Sequence, residues 1–214
     1  MVDIVTTKNR SEFSKQLESM FEDRRNVFIG LLRWELPVID GRLEIDQFDT
    51  DDAIYLIISD QSGNHMGSLR LLRADRPHIL GSLFPYLCDE KVPDNSATME
   101  ITRLCLCPGL AALERLQLRN RLISAMVDYA LSRGIRTFTG VVTARFLSQI
   151  LVMGWQCRAL GPSKSVDGTT IAAFRIDIDE TTPALLQATG IYVLDQIDEE
   201  ARVKNSATES KHEY

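Results

Sequence analysis

No stretch of this 214-residue chain approaches the ~20 consecutive apolar residues that a membrane-spanning helix needs. The opening MVDIVTTKNR carries Asp3 and has no apolar core, so it does not read as a secretion signal, and a cytoplasmic location is expected. Cysteine is scarce. Cys88, Cys105, Cys107 and Cys157 fall in no disulfide or zinc pattern, and Cys105 and Cys107, two apart on a strand, are poorly placed to bond each other. The histidines His65, His78 and His212 are scattered without ligand spacing, so no metal is expected. Positive charge is also in deficit: 24 Lys and Arg against 30 Asp and Glu give a net charge of -6, which argues against nucleic acid as a partner.

With 44% hydrophobic and 25% charged residues, the composition is that of a globular domain able to bury a substantial core. One domain is expected over residues 1–194, its first 52 residues a flexible substrate-binding region, with a polar tail at 195–214. Spacing of Phe13, Leu17, Met20, Phe21, Val27 and Phe28 predicts a helix over 11–33. AIYLIIS at 53–59 and HMGSLRLLR at 65–73 read as a hairpin about Gly63. A short helix is expected at 81–88, a strand at 98–107, and the clearest helix at 111–133, with Gly134 at its C-cap. Strands at 136–142, 155–160 and 169–178 and helices at 144–153 and 182–189 complete a mixed sheet covered by helices on both faces. The acidic run 42–52 (RLEIDQFDTDD) is expected to be irregular and to order against something cationic.

Several charges sit where a plain core has none. Arg24 lies near Phe28 and Trp34 at a helix end, Arg70 lies between Leu69 and Leu71, and Glu100 and Arg103 interrupt a strand that should be central. A charge in a central strand costs several kcal/mol unless it is paired, so these groups pair with one another or with ligand. On a regular strand Glu100 and Thr102 face one side and Arg103 the other. Bringing both to one cleft needs a bulge near 101–103. Carboxylates at Asp46, Asp49 and Glu100 suit an ammonium or sulfonium, the arginines suit a carboxylate, and Phe28 and Trp34 offer an apolar or cation–π surface.

In order, Arg24, Phe28, Trp34, Asp46, Asp49, Arg70, Glu100 and Arg103, carried by RRNVFIGLLRWELP, IDQFD, GSLRLL and MEITRLCLCP, resemble the signature of LuxI-type acyl-homoserine-lactone synthases. The resemblance implies an α/β, GNAT-like α-β-α sandwich, with a V-shaped cleft between splayed strands at 98–106 and 136–142. It implies a quorum-sensing signal made from S-adenosylmethionine, a substrate and not a cofactor, and an acyl group delivered by acyl carrier protein. Amide formation and lactonisation would release methylthioadenosine. Glu100 is then the expected general base, with Arg24, Phe28, Trp34, Asp46, Asp49, Arg70 and Arg103 shaping the S-adenosylmethionine pocket. Phe84, Leu104, Leu106, Met126, Val142, Phe146, Leu151 and Met153 are candidates for an acyl tunnel. Thr102 and Thr143 can offer it hydroxyls, and Thr143 is tied by the resemblance to a 3-oxo chain. Arg115, Arg119, Arg121, Arg133 and Arg145 are expected to include the surface that docks the acidic carrier.

The rival reading is a GNAT-type N-acetyltransferase using acyl-CoA. The junction CPGLAALERLQLRNRL has only Gly109 and lacks the glycine-rich loop that cradles a pyrophosphate, which favours the carrier protein as donor.

Overall fold

The computed structural model describes residues 1–194, so the expected polar tail at 195–214 lies outside the described residues. In chain order the elements are β1 (Asp3–Val5), α1 (Ser14–Arg24), β2 (Val38–Ile39), β3 (Leu43–Glu44), β4 (Ile54–Ser59), β5 (His65–Arg73), α2 (Ile79–Leu83), β6 (Thr98–Leu106), α3 (Ala112–Arg133), β7 (Thr137–Thr143), α4 (Ala144–Ile150), β8 (Gln156–Ala159), β9 (Lys164–Val166), β10 (Thr169–Asp177) and α5 (Thr182–Ala188). The main sheet has the order β1-β4-β5-β6-β7-β10-β8, with β9 also on β10, and β2 and β3 form a separate hairpin.

Helices cover both faces because the central strands are apolar on both. In β4, Tyr55 and Ile57 pack with Leu17 and Met20 of α1. Leu56 and Ile58 point the other way, into a larger core with Leu118, Leu122 and Met126 of α3. This is the pattern of a buried strand with no solvent side. On the α1 side, Leu80 of α2 packs with Leu87 and Ala173. Gly134 ends α3 at φ 68°, a left-handed C-cap that other residues adopt only with strain.

All neighbouring strands run antiparallel except β6 and β7, which are joined by the crossover helix α3. Their pairing covers Thr98↔Thr137, Met99↔Phe138 and Glu100↔Thr139 and goes no further. Past that point β6 pairs only with β5, and β7 only with β10, so the two strands splay into a V. Gly140 is the first residue of β7 inside the opening. A Cβ there would lie 2.7 Å from the Phe174 ring and 3.0 Å from the carbonyl oxygen of Ile101.

The bulge expected near 101–103 is present. Ser68 pairs with Cys105 and Arg70 with Thr102, so two steps along β5 match three along β6. Arg103 takes φ 51° within it. The extra residue brings the Arg103 side chain to the α1 side of the sheet, with Glu100 and Thr102.

The expected helix at 11–33 divides in three: a 3-10 turn at Arg10–Phe13, α1, and a seven-residue π-helical turn at Arg25–Leu31. Arg33 at φ 62° then reverses the chain, and the Trp34 amide donates to the Phe28 carbonyl at 2.9 Å. Three short features were not anticipated: β1, the β2–β3 hairpin and β9. Each strand involved is two or three residues long, too short to show a period.

Candidate active site

Apart from Glu100, the charges singled out in the sequence meet on the α1 side of the sheet, between α1, the bulged stretch of β6 and the segment 42–52. Arg24, at the end of α1, donates from Nε to Glu44 and from both terminal nitrogens to Asp49, at 2.9 and 2.8 Å. Arg70 of β5 forks onto Asp46 at 2.7 and 3.0 Å, donates from Nε to Thr102 Oγ1 at 2.9 Å, and pairs with Asp49 at 2.7 Å. Arg103 donates to Glu44 at 3.0 Å and to Asp46 at 2.7 Å. Asp49 accepts in addition from Tyr55 Oη and from the Asp46 amide, each at 2.9 Å.

Three arginines thus face three carboxylates, almost wholly out of water. The cations that hold the acidic run are the protein's own. Burial alone would raise the Asp49 pKa, but the hydrogen bonds and charge of Arg24, then Arg70, hold it well below the usual carboxylate range. Glu44 was missed in the sequence, although its side chain is fully buried and binds two of the three arginines. Its setting between Leu43 and Ile45 is the signal that singled out Arg70 between Leu69 and Leu71.

Arg103 is the network's outermost cation, 10% exposed at the side chain where Arg24 and Arg70 are at 0%. Its guanidinium lies 5.6 Å from the centre of the Phe28 ring. Phe28 stacks on Trp34 with centroids 5.1 Å apart and planes within 7°. Phe28 is buried and Trp34 is exposed, so the pair offers a flat aromatic wall beside a cation.

Glu100 stands apart from this network, at the throat of the V. Its two carboxylate oxygens accept from the amides of Ile79 at 2.7 Å and Leu80 at 2.9 Å, at the first turn of α2. Burial pushes its pKa up to about 7, against the pull of those amides and, more weakly, of Arg70 and Arg103. A carboxyl near 7 exchanges a proton readily at neutral pH.

The apolar candidates do not form one group. Phe84 packs with Leu80 and Leu87 on the α2 side. Leu104, Leu106, Met126, Val142, Phe146 and Met153 lie in or against the core on the α3 side, and Leu151 is exposed. Thr143 caps α4, its Oγ1 accepting from the Phe146 amide at 3.3 Å. Among the described residues no cluster of His, Cys, Asp and Glu suits a metal, and no helix is long and apolar enough to cross a membrane.

A mixed sheet between helical layers, split into a V between two parallel strands, defines the GNAT-like class of acyltransferase folds. The autoinducer synthase family matches residues 8–185. An acyl-homoserine-lactone synthase of Ralstonia nicotianae is 31% identical over 176 residues, covering 80% of this chain and 86% of that one. Among solved structures, the CoA-dependent acyl-homoserine lactone synthase MesI has a TM-score of 0.79 at 26% identity, over 90% of this chain and 97% of that one. BjaI, another CoA-dependent synthase, solved with MTA, shares the fold at a TM-score of 0.82 and 24% identity, over 92% of each chain. The chain belongs to the autoinducer synthase family; it is an acyltransferase whose product is an acyl-homoserine lactone signal.

One expectation is overturned. An acyl carrier protein was expected as partner, partly because the β6–α3 junction lacks a glycine-rich phosphate loop. MesI, which matches this chain over nine-tenths of its length at 26% identity, is CoA-dependent. The carrier protein is therefore withdrawn as the expected partner, and with it the docking role expected of the arginines of α3 and α4.

Proposed function

We propose that the enzyme transfers the acyl group of an acyl-CoA to the α-amine of S-adenosylmethionine, then closes the lactone with release of methylthioadenosine. The observation that carries this reading is the V with Glu100 at its throat. Inside the V each strand has one unpaired edge, which suits the amides of a pantetheine arm lying as an added strand. The thioester carbon then comes to rest near the last β6–β7 pair, beside Glu100. MesI, described as CoA-dependent, supports CoA as the carrier of that arm.

S-adenosylmethionine fits the neighbouring wall. Its carboxylate meets Arg103, the network member with solvent access, and its sulfonium lies against Phe28 and Trp34. Arg24, Arg70, Asp46 and Asp49 brace that wall rather than touch substrate, because their polar atoms are committed to one another. Thr102 is likewise committed, to Arg70. Free α-amines have pKa values of about 7.7–8.0, so a base is needed near neutrality, and Glu100 takes the proton as the C–N bond forms and the C–S bond breaks. The substrate carboxylate then displaces methylthioadenosine from the γ-carbon. Phe84 bounds the acyl group on the α2 side. Thr143, whose hydroxyl hydrogen the cap does not use, is suited to an oxygen at the 3-position of the chain. A cytoplasmic setting fits four cysteines that are all free thiols.

The test is mass spectrometry after incubation with S-adenosylmethionine and matched acyl-CoA and acyl-carrier-protein panels. Acyl-homoserine lactone and methylthioadenosine formed in equal amounts from an acyl-CoA support the reading. Turnover with carrier-bound acyl groups alone would sink the choice of donor, and acylated amine without methylthioadenosine would sink lactone formation.

A further inference from the structure

Four buried side-chain atoms among the described residues have no hydrogen-bond partner: Arg10 Nε, Ser59 Oγ, His78 Nε2 and Thr139 Oγ1. Thr139 is the one at the throat of the V. It is fully buried, and it is the register partner of Glu100 in the last β6–β7 pair before the strands part. Along β7, Phe138 and Val142 belong to the α3-side core, whereas Val141 packs on the α2 side with Ala173. By strand alternation Thr139 shares the α2 side, the side from which Ile79 and Leu80 reach Glu100.

A buried hydroxyl without a partner is disfavoured, and natural cores rarely keep one without a use. Valine has the same shape and lacks the penalty. Glu100 has lone pairs to spare: each oxygen accepts one amide, and each can take a second donor. Thr139 Oγ1 and the Glu100 carboxylate do not reach each other directly, yet neighbouring residues of a strand pair are spaced to share a water.

We propose that Thr139 is a positioning residue, whose hydroxyl and the Glu100 carboxylate together hold the single water that relays the substrate's amine proton. As the amine nitrogen bonds to the thioester carbon, the water takes its proton and passes one of its own to Glu100, so the water is regenerated. The departing CoA sulfur leaves as thiolate. This rests on the reading of Glu100 as base, and the experiment separates the two.

Thr139→Val and Thr139→Ser are assayed beside the unsubstituted enzyme for kcat, for KM of S-adenosylmethionine, for pH dependence and for Tm. Thr139→Val is expected to lower kcat roughly 10–100-fold, with KM for S-adenosylmethionine within about twofold. Loss of the relay also removes a hydrogen bond that favours ionised Glu100, so the acidic limb of the pH profile moves to higher pH. Thr139→Ser keeps the hydroxyl and restores most of kcat. A Thr139→Val enzyme with unchanged kcat and raised Tm would overturn the proposal, since the hydroxyl would then be only an unsatisfied core group. Equal loss in both variants, with a changed KM, would also overturn it and assign Thr139 to packing. If the unsubstituted enzyme makes no lactone with any donor, the functional reading itself has failed.

Discussion

Glu100 answers to two neighbours at once. The amides of Ile79 and Leu80 favour a carboxylate, while complete burial favours the neutral acid, and burial prevails. Above neutrality the fold therefore carries a buried charge that lowers its stability and that the proposed proton transfer uses. Glu100→Gln is expected to abolish at least 99% of turnover, a loss of about 100-fold or more. The same substitution leaves the protein about as stable as the parent at about pH 4 and more stable by a few kcal/mol, on the order of the shift in pKa, at about pH 8. Urea unfolding at the two pH values checks it. A less stable Glu100→Gln at pH 8 would mean that the two amides outweigh burial. At this scale the sequence disclosed most of the site, because a charge among apolar neighbours stands out as it did at Arg70 and Glu100. It did not disclose Glu44, whose apolar neighbours were lost in an acidic run, nor Thr139, whose hydroxyl is ordinary in a strand until its partners are counted.

The V depends on the parting of β6 and β7, and at that point Gly140 has no side chain to offer. The Phe174 ring from β10 fills the space, and the Ile101 carbonyl stands close by. Gly140→Ala must displace the ring or the strand. It is expected to cost about 1–3 kcal/mol and to raise KM for the acyl donor more than KM for S-adenosylmethionine. Denaturant midpoints and steady-state kinetics measure both, and an unchanged midpoint would show that the ring yields freely. Strands and helices of six or more residues were legible because their apolar periods repeat. The parity argument at Glu100, Thr102 and Arg103 foretold the bulge as well. The π-helical turn at 25–31 was not legible, since its apolar residues fit a continuing α-helix, and no periodicity assigns Phe84 and Leu104 to opposite faces.

For the whole molecule, Asp49 and Glu100 act on stability in opposite directions as pH changes. Asp49 has a depressed pKa in the fold, so its contribution is present above about pH 4, near its unfolded value, and is lost as pH falls. Glu100 has a raised pKa, so its contribution is present below its unfolded value of about 4.3 and is lost as pH rises through about 7. From these two groups, stability peaks at mildly acidic pH, between about 4 and 5, and declines on either side. On the proposed mechanism activity runs the other way over part of that range, because Glu100 must be ionised to take the proton: kcat/KM should climb through about pH 7. Urea midpoints and kcat/KM measured across about pH 3–8 test this. A midpoint rising steadily from acid to pH 8 would contradict it.

The six-member ion network also constrains how such a sequence can change over generations. Segment 42–52 contributes all three acids, and α1, β5 and β6 contribute the three bases. Loss of any one leaves two buried partners with a single counter-ion each and the network with an unbalanced charge, a cost of about 3–5 kcal/mol, comparable to the whole margin of a small domain. Drift by single substitutions is closed at all six positions. They are heritable only as a set, and a recombination point falling between Glu44 and Arg103 would be tolerated only when both parents carry the same six charges.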